Sequence, residues 1–296
     1  MYIFLNYLIQ LFKIKVIKNN TSSHLIRIRE RLIELTTPKI MGILNLTENS
    51  FYDGGKYNSI KSAILQTKKM INEGAFFIDI GVASSKPGSN IISPKDEIKI
   101  LAPYLKPLLK EFPNTFFSID TYNSQVAKMS LDLGVSMIND ISGGDIDPKM
   151  YSVVSAYMVP YLMMHMKGVP KTMQNRPIYS DIISEVIYSF SDKIKKARSS
   201  GINDILIDPG FGFGKNINHN FNLLNNLSLL NSLECPIAVG VSRKSMIYKI
   251  LGCNPKQALN GTSVLNTLSL DRGAKILRVH DVKEAKECIS LWTMLH

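Results

Sequence analysis

The residues best suited to chemistry in this 296-residue sequence lie in the run 208–215, which reads DPGFGFGK. An apolar run at 205–207 precedes it and predicts a buried parallel strand, so Asp208 stands where a strand ends. The glycines let backbone approach a ligand, with Phe213 and Lys215 within reach. Their spacing does not fit G-x-G-x-x-G, and the lysine lacks the following Ser or Thr of a P-loop, so this is not a nucleotide fingerprint. A tight strand-to-helix turn without function is the alternative.

The same order of apolar run, polar residue, Gly or Ser loop and helix-like stretch recurs along the chain. Predicted strands lie at 39–46, 76–81, 116–120, 137–141, 161–166, 205–207, 236–241 and 275–281. Helical spacing occurs between them at 60–71, 96–109, 182–197, 221–230 and 283–295. Eight strands alternating with helices in about 250 residues predict a single (β/α)8 TIM barrel. A doubly wound open sheet is the competitor, but it would have fewer strands and a glycine motif after the first.

Polar residues at or near the strand ends would meet on one face of such a barrel. They are Asn45, Asp79, Asp120, Asn139, His165, Asp208, Lys244, Arg278 and His280. One polar strand-end residue is more often structural than catalytic. A buried cluster of mixed acids, amides and cations is unfavourable by several kcal/mol unless it is internally paired or binds something. The sequence therefore predicts a site for a polar ligand at this face.

The net charge of +11 raises the possibility of nucleic-acid binding. The chain has no long Lys/Arg run, and its basic residues are not interleaved with aromatic ones. We therefore expect a solvated basic surface that attracts an anionic substrate, with no nucleic-acid partner. Three scattered cysteines without a C-x-x-C motif argue against zinc and disulfides and favour a reducing, cytoplasmic location.

The N-terminal segment 1–16 is apolar, but its lysines follow the apolar part, which is the reverse of a secretory signal. It is also shorter than the roughly 20 apolar residues of a membrane span. We expect residues 1–37 to be a poorly ordered extension or the result of a misplaced start codon, with an interfacial anchor as the alternative. Residues 38–296 are expected to form one catalytic barrel domain.

A series of motifs from residue 39 almost to the C-terminus resembles the dihydropteroate synthase family. In chain order these are MGILNLT at 41–47 with SF at 50–51 and DGG at 53–55, FSIDT at 117–121, NDI at 139–141, LMMHM at 162–166, PKTMQ at 170–174, DPGFGFGK at 208–215, SRKS at 242–245 and RVHD at 278–281. The resemblance implies condensation of 6-hydroxymethyl-7,8-dihydropterin diphosphate with 4-aminobenzoate, giving 7,8-dihydropteroate and diphosphate. It also implies Mg²⁺ as cofactor, sulfonamides as inhibitors and a homodimer.

The resemblance assigns roles that suit the chemistry of each ligand. Carboxylates and an amide bind the N–H groups of a pterin, a lysine donates to its carbonyl and an arginine stacks on its ring; these residues are Asp79, Asp120, Asn139, Asp208, Lys244 and Arg278. Two rings and two hydroxyls surround 4-aminobenzoate: Phe51, Phe213, Ser85 and Ser245. The diphosphate side has Asn45, also the expected Mg²⁺ ligand, with Lys86, His280 and Arg278. The catalytic set is Asn45, Asp120, Asp208, Lys244, Arg278 and His280.

Two loops depart from the family pattern. Where the family has GESTRPG, this chain has VASSKPG at 82–88, so Ala83, Ser85 and Lys86 replace Glu, Thr and Arg. In the first loop Glu48 and Asn49 replace a Pro-Asp pair. The lysine keeps the charge but loses the bidentate fork of an arginine. We expect an active but slower enzyme, with a weaker hold on diphosphate and altered sulfonamide sensitivity.

Restoring the fork by Lys86→Arg is the direct test of this expectation. The change should improve rate or affinity about tenfold, equivalent to roughly 1–2 kcal/mol. Steady-state kinetics with both substrates measures it, and an unchanged kcat together with an unchanged KM would show the expectation to be wrong.

Three other functions are compatible with parts of the sequence. A barrel that moves a methyl group from methyltetrahydrofolate to a corrinoid needs no diphosphate site, so Asn45, the loop 84–86 and the pair Arg278 and His280 argue against it. A decayed synthase would bind pterin tightly without releasing diphosphate. A structural or nucleic-acid role resting on charge alone would show salt-dependent binding to any duplex.

Overall fold

The computed structural model describes residues 24–46, 59–82, 92–168, 173 and 177–296. Its strands are β1 (Leu25–Ile28), β2 (Arg31–Glu34), β3 (Lys39–Asn45), β4 (Phe77–Gly81), β5 (Phe116–Asp120), β6 (Met137–Asp140), β7 (Tyr161–Met164), β8 (Ile205–Asp208), β9 (Ile237–Val239) and β10 (Ala274–Val279). Its α-helices are α1 (Ile60–Asn72), α2 (Pro94–Glu111), α3 (Ser124–Asp132), α4 (Lys149–Tyr157), α5 (Ile182–Ser199), α6 (Ile217–Asn225), α7 (Ser245–Tyr248), α8 (Leu259–Asp271) and α9 (Val282–Thr293).

Strands β3 to β10 close into a parallel barrel, in which β10 pairs with both β3 and β9. The predicted (β/α)8 TIM barrel is therefore confirmed, with all eight predicted strands in it. The helix predicted at 221–230 is wrong in its bounds. Helix α6 begins earlier, at Ile217, because Asn216 caps it, and it gives way to a 3-10 segment at Leu227–Leu233.

The barrel interior changes from apolar to polar along the strands. Each strand first contributes one inward apolar residue, and together they form a closed floor: Met41, Phe77, Phe116, Met137, Leu162, Leu206, Ala238 and Ile276. Side chains alternate along a strand, so the next inward residue lies two positions further on. In six strands it is small or polar, namely Asp79, Ser118, Asn139, Asp208, Gly240 and Arg278. In the other two strands it is Ile43 and Met164. A rigid apolar floor thus supports a polar layer that opens toward the strand ends.

The hairpin of β1 and β2 lies within the segment 1–37 that was assigned to a poorly ordered extension. For the described residues 24–37 this expectation is wrong. Ile26, Ile28 and Leu35 are fully buried against the barrel floor, and they close its N-terminal end. The hairpin was missed because it alternates over only four residues per strand, which is a weak signal. Residues 1–23 lie outside the described part of the chain.

None of the helices in the described residues is long and apolar enough to cross a membrane. The three cysteines, Cys235, Cys253 and Cys288, are free.

Candidate active site

Four of the predicted site residues form one buried hydrogen-bonded array in the polar layer. The Arg278 guanidinium donates from Nε to Asp79 Oδ2 at 2.7 Å and from Nη2 to Asp120 Oδ2 at 2.7 Å. Asn139 Nδ2 donates to the same Asp79 oxygen at 2.9 Å. These bonds use two of the five N–H groups of the guanidinium, so its remaining donors and its flat face can serve a ligand.

One oxygen of this array has a free acceptor position. Asp79 is completely buried, and within the described residues nothing hydrogen-bonds its Oδ1 atom. Ser118 lies beside Asp79 in the strand register, and its Oγ atom is also buried and, in the same described set, without a partner. A buried acceptor left unpaired is unfavourable by about 1–3 kcal/mol. The site is therefore prepared for a ligand that brings N–H donors into the barrel.

Asp208 and Lys244 form the second charged pair of the site, beside Gly240. An ideal Cβ added to Gly240 would lie 3.8 Å from Asp208 Oδ2, from Lys244 Nζ and from the Arg278 side chain. The missing side chain thus leaves space between these three groups. Asp208 Oδ1 accepts from the Gly210 N–H at 2.8 Å, so its other oxygen is directed toward this space.

An apolar wall lies next to this charged pair. Lys244 Nζ is 4.8 Å from the centre of the Phe213 ring and donates to the Phe211 carbonyl at 2.6 Å. Phe213 is buried in a small cluster with Ile141, Met164, Met166 and Met173, and Tyr122 packs against it. This surface suits the flat face of an aromatic ligand.

Ser245 begins helix α7, and Lys244 occupies the N-cap position. Helix α7 has only four residues, so its macrodipole is small. What the turn offers an anion is therefore its backbone N–H groups and the serine hydroxyl.

Asn45 and His280 lie at the mouth of the barrel, on the side of Arg278. Asn45 Oδ1 and Asp120 Oδ2 lie 3.6 and 3.7 Å from the ideal Cβ position of Gly81, so both oxygens border the same small space. The His280 ring nitrogen Nδ1 is 3.0 Å from Ser242 Oγ. The described residues contain no cluster of His, Cys, Asp or Glu that could hold a metal ion.

The oxygen donors at the mouth of the barrel fit Mg²⁺ if substrate phosphates supply part of its coordination. Mg²⁺ prefers oxygen ligands, keeps several waters and is usually bound through one or two protein oxygens together with substrate phosphates. The amide oxygen of Asn45 suits that arrangement. A site that needed three protein carboxylates would not fit the described residues.

Two ion pairs near the strand ends, each with a buried cation, are not assigned by the sequence analysis. The Arg243 guanidinium donates to both Asp281 oxygens at 2.8 Å, and its Nη1 atom donates to the carbonyls of Pro255 and Lys256. This clamp fixes the turn that carries Lys244. Lys193 is paired with Asp145 at 2.7 Å and donates to the Ser142 carbonyl at 2.6 Å. The sequence around Arg243 and Lys193 does not indicate an ion pair, because the partner of each cation is far away in the chain.

Burial shifts the pKa values of several of these groups in the direction that favours the uncharged form. Burial raises the pKa of Asp120 to about 7, although Arg278 opposes the shift. Burial lowers the pKa of Lys244 to about 8, although Asp208 favours its charged form. Burial also lowers the pKa of His280 to about 4, with Arg278 adding to the effect, so its imidazole is neutral at physiological pH.

The structure therefore brings together Asn45, Asp79, Asp120, Asn139, Asp208, Phe213, Lys244, Ser245, Arg278 and His280 at one end of the barrel. His165, which is among the predicted strand-end residues, is buried beside this site. Phe51, Ser85 and Lys86, and the altered positions Glu48, Asn49 and Ala83, lie outside the described residues.

Comparisons with known proteins show the family to which the chain is similar. A family model described as "Pterin binding enzyme" matches residues 41–280. The dihydropteroate synthase of Escherichia coli strain K12 is 39% identical over 259 residues, covering 87% of this chain and 91% of that protein. The dihydropteroate synthase of Synechocystis is 42% identical over 247 residues, covering 82% and 85%.

Solved structures give the same result. Dihydropteroate synthase from Yersinia pestis in complex with a sulfonamide drug has a TM-score of 0.88 at 36% identity, covering 92% of this chain and 99% of that one. The Xanthomonas albilineans enzyme with 4-aminobenzoic acid has a TM-score of 0.85 at 32% identity, covering 93% and 98%. Because the family model spans the barrel and these relatives match along most of both chains, this chain belongs to the pterin-binding enzymes and, among them, to the dihydropteroate synthase family.

Proposed function

We propose that this protein is a transferase that condenses 6-hydroxymethyl-7,8-dihydropterin diphosphate with 4-aminobenzoate, giving 7,8-dihydropteroate and diphosphate in folate synthesis. The observation that carries the proposal is the buried array of Asp79, Asn139, Asp120 and Arg278, with one carboxylate oxygen lacking a donor in the described residues. A pterin edge presents N–H donors and a carbonyl acceptor, so it complements such an array. An apolar ligand would leave the carboxylates unpaired.

The pterin would lie in the polar layer above the barrel floor. The carboxylates of Asp79 and Asp208 would accept its N–H groups, and Lys244 would donate to its carbonyl. Lys244 already donates to the Phe211 carbonyl, so this bond would be exchanged or shared when a pterin binds. Hydrogen bonds to two carboxylates fix the orientation of the Arg278 guanidinium. Its planar face is therefore preorganised to stack on the pterin ring.

The reaction breaks the bond between the pterin methylene carbon and the diphosphate oxygen. The electron pair leaves with diphosphate, and positive charge spreads into the electron-rich dihydropterin ring. The aniline nitrogen forms the new C–N bond and releases its proton to solvent or to diphosphate. This amine is unprotonated near neutral pH, so the reaction needs no strong general base from the protein.

The diphosphate side requires groups that stabilise negative charge as it develops. Arg278 supplies a permanent cation, and neutral His280 supplies a ring nitrogen whose pKa would rise beside the anion. Magnesium, when bound, adds positive charge at the diphosphate oxygens, and Asn45 would hold it. Lys86 is proposed to join this group from the loop after β4.

We assign the 4-aminobenzoate ring to the wall formed by Phe213 and the Met side chains around it. Its carboxylate would meet the turn at Ser245. Phe51 and Ser85, which lie outside the described residues, are proposed to complete this subsite. Sulfonamides, which resemble 4-aminobenzoate in shape, are proposed as inhibitors at the same place; a related enzyme has been solved with such a drug.

The experiment that tests this function is diphosphate release by the purified protein with Mg²⁺ and both substrates, with and without a sulfonamide. We expect release that depends on 4-aminobenzoate and is blocked by the drug. Pterin binding by calorimetry without any release would instead support the decayed synthase. No pterin binding at all would contradict the assignment of the site.

The pH dependence of kcat/KM for the pterin diphosphate should be bell-shaped with a narrow maximum near neutrality. Below pH about 7 Asp120 takes up a proton and loses the charge that holds Arg278, so activity falls as the pH is lowered. Above pH about 8 Lys244 loses its proton and can no longer place a charge on the pterin carbonyl, so activity falls again. A pH–rate profile measures both limbs.

A matched variant identifies the group responsible for the acid limb. Glu97 in helix α2 is buried, hydrogen-bonds Thr121 and has its own pKa raised to about 7 by burial. In Glu97→Gln the acid limb should persist and move to lower pH, because the Glu97 charge raises the pKa of Asp120. If the fall in activity at low pH disappeared in Glu97→Gln, the group that titrates there would be Glu97 and not Asp120.

The proposal also includes an oligomeric state, which the family resemblance implies, and a cellular location, which the cysteines favour. A homodimer is proposed, and sedimentation equilibrium would test it. A reducing, cytoplasmic location is proposed because all three cysteines are free.

A further inference from the structure

Lys215 is a buried cation that the mechanism above does not use. Only 3% of its surface is exposed, and its Nζ atom has four hydrogen-bond partners among the described residues. The ammonium is 3.0 Å from His165 Nδ1, 3.0 Å from the Gly210 carbonyl, 3.0 Å from the Phe213 carbonyl and 3.3 Å from the His165 carbonyl. Burial lowers its pKa, but the four acceptors around Nζ favour the charged form, in which the ammonium donates to them.

These contacts join two neighbouring loops of the barrel. His165 directly follows strand β7, and the residues 210–214 form the glycine-rich loop after strand β8. The loops touch so closely that a Cβ atom on Gly210, whose φ is +70°, would collide with the His165 carbonyl. The Tyr179 hydroxyl also donates to the Gly214 carbonyl at 2.9 Å. Lys215 is thus the charged centre of the contact between the loops.

The same loop supplies two groups to the site. Its Phe211 carbonyl accepts from Lys244 Nζ, and its Phe213 ring lies under that ammonium. The position of the loop therefore sets both the wall of the ring subsite and a partner of Lys244. Without Lys215, the loop would keep its glycines but lose the bonds from the ammonium to the Gly210 and Phe213 carbonyls.

We propose that Lys215 is a positioning residue: it holds the glycine-rich loop against the end of β7 and so keeps Phe213 in place for the 4-aminobenzoate ring. The identity of that ligand rests on the proposed function. Lys215 touches no reacting atom in this role. Its loss should therefore weaken the affinity for 4-aminobenzoate and sulfonamides more than it lowers kcat.

Lys215→Met tests this by removing the ammonium donors while keeping an unbranched apolar chain that is one atom shorter. In the presence of diphosphate and Mg²⁺, the Kd for 4-aminobenzoate by calorimetry should rise about tenfold, as expected when a binding wall shifts by a fraction of an ångström. The KM for the pterin diphosphate should change by less than about twofold. Lys193→Met is the matched control, because Lys193 is equally buried at 3% exposure and bonds a carbonyl of a different loop. It should destabilise the protein similarly and leave the Kd for 4-aminobenzoate unchanged.

The imidazole of His165 provides a readout that does not depend on activity. An ammonium donates only, so His165 Nδ1 must accept and its proton must lie on Nε2. Burial and the neighbouring lysines lower the pKa of this ring to about 2, so it is neutral throughout the working range. ¹⁵N NMR should show one Nε2–H tautomer in the parent protein and a mixture in Lys215→Met. An unchanged tautomer, or an unchanged Kd for 4-aminobenzoate in Lys215→Met, would overturn the proposal.

The two proposals fail in different ways. A parent protein that binds 4-aminobenzoate but releases no diphosphate counts against the proposed function alone, and the shift in Kd in Lys215→Met would still support the positioning role. If the parent turns over its substrates and the Kd for 4-aminobenzoate is the same in the parent and in Lys215→Met, the result counts against the positioning role alone.

Discussion

Replacing Arg278 by alanine is expected to reduce kcat/KM for the pterin diphosphate by about a thousandfold, because one side chain serves the pterin, the diphosphate and two carboxylates at once. Its ion pairs with Asp79 and Asp120 hold these acids in the geometry that would receive a pterin. Without the guanidinium, two buried carboxylates would face each other with no cation between them. Removing one partner of a buried ion pair destabilises a protein by about 3–5 kcal/mol.

The loss of stability and the loss of function can be separated. Thermal melting of Arg278→Ala gives the first, and calorimetric pterin titration well below the melting temperature gives the second. Arg278→Lys keeps the charge but has no planar fork, so its activity should fall between the parent and the alanine variant. Arg272→Ala is the matched control, since Arg272 ends helix α8 and its guanidinium donates only to the local Leu268 carbonyl among the bonds described. Activity of Arg278→Ala within about tenfold of the parent would remove Arg278 from the catalytic set.

The barrel and the gathering of its polar residues could be predicted because both depend on local pattern. Apolar runs followed by Asp120 or Asp208 mark strand ends, and parallel strands place their ends on one face. No long-range information was needed for that step. The ring-binding role of Phe213 comes from the resemblance to the family and not from this pattern, and the structure places Phe213 in a buried apolar wall.

The pairing inside the site could not be predicted, because it depends on how the barrel closes. Arg278 and Asp79 are 199 residues apart and meet only because β10 lies next to β3, which lies next to β4. A sequence gives their types but not this register. Lys215 shows the same limit. Its reach back to His165 requires a left-handed backbone at Gly210, which brings the two loops together.

Asp208→Asn is the second change with a large expected effect, because it alters one atom in a buried pair and leaves the shape intact. The new amide nitrogen can only donate, so either the pterin N–H or Lys244 Nζ would face a donor. A polar site with a reversed hydrogen-bonding group rejects its ligand strongly. We expect kcat/KM for the pterin diphosphate to fall about 100- to 1000-fold, equivalent to roughly 3–4 kcal/mol. Asp204→Asn is the matched control, because Asp204 precedes the other end of β8 and accepts from the Arg27 N–H, away from the site.

The stability and the pH profile of Asp208→Asn distinguish a reversed hydrogen bond from general damage to the fold. Burial raises the pKa of Asp208, so its ionised form costs stability at neutral pH, and the neutral amide should leave the melting temperature within a few degrees of the parent. The Asp208 charge favours protonated Lys244, so its removal should lower the pKa of Lys244 below about 8. The alkaline limb of the pH–rate profile should therefore move to lower pH in Asp208→Asn and stay in place in Asp204→Asn. An unshifted limb would mean that Lys244 and Asp208 do not act as a pair, and that the alkaline limb belongs to another group.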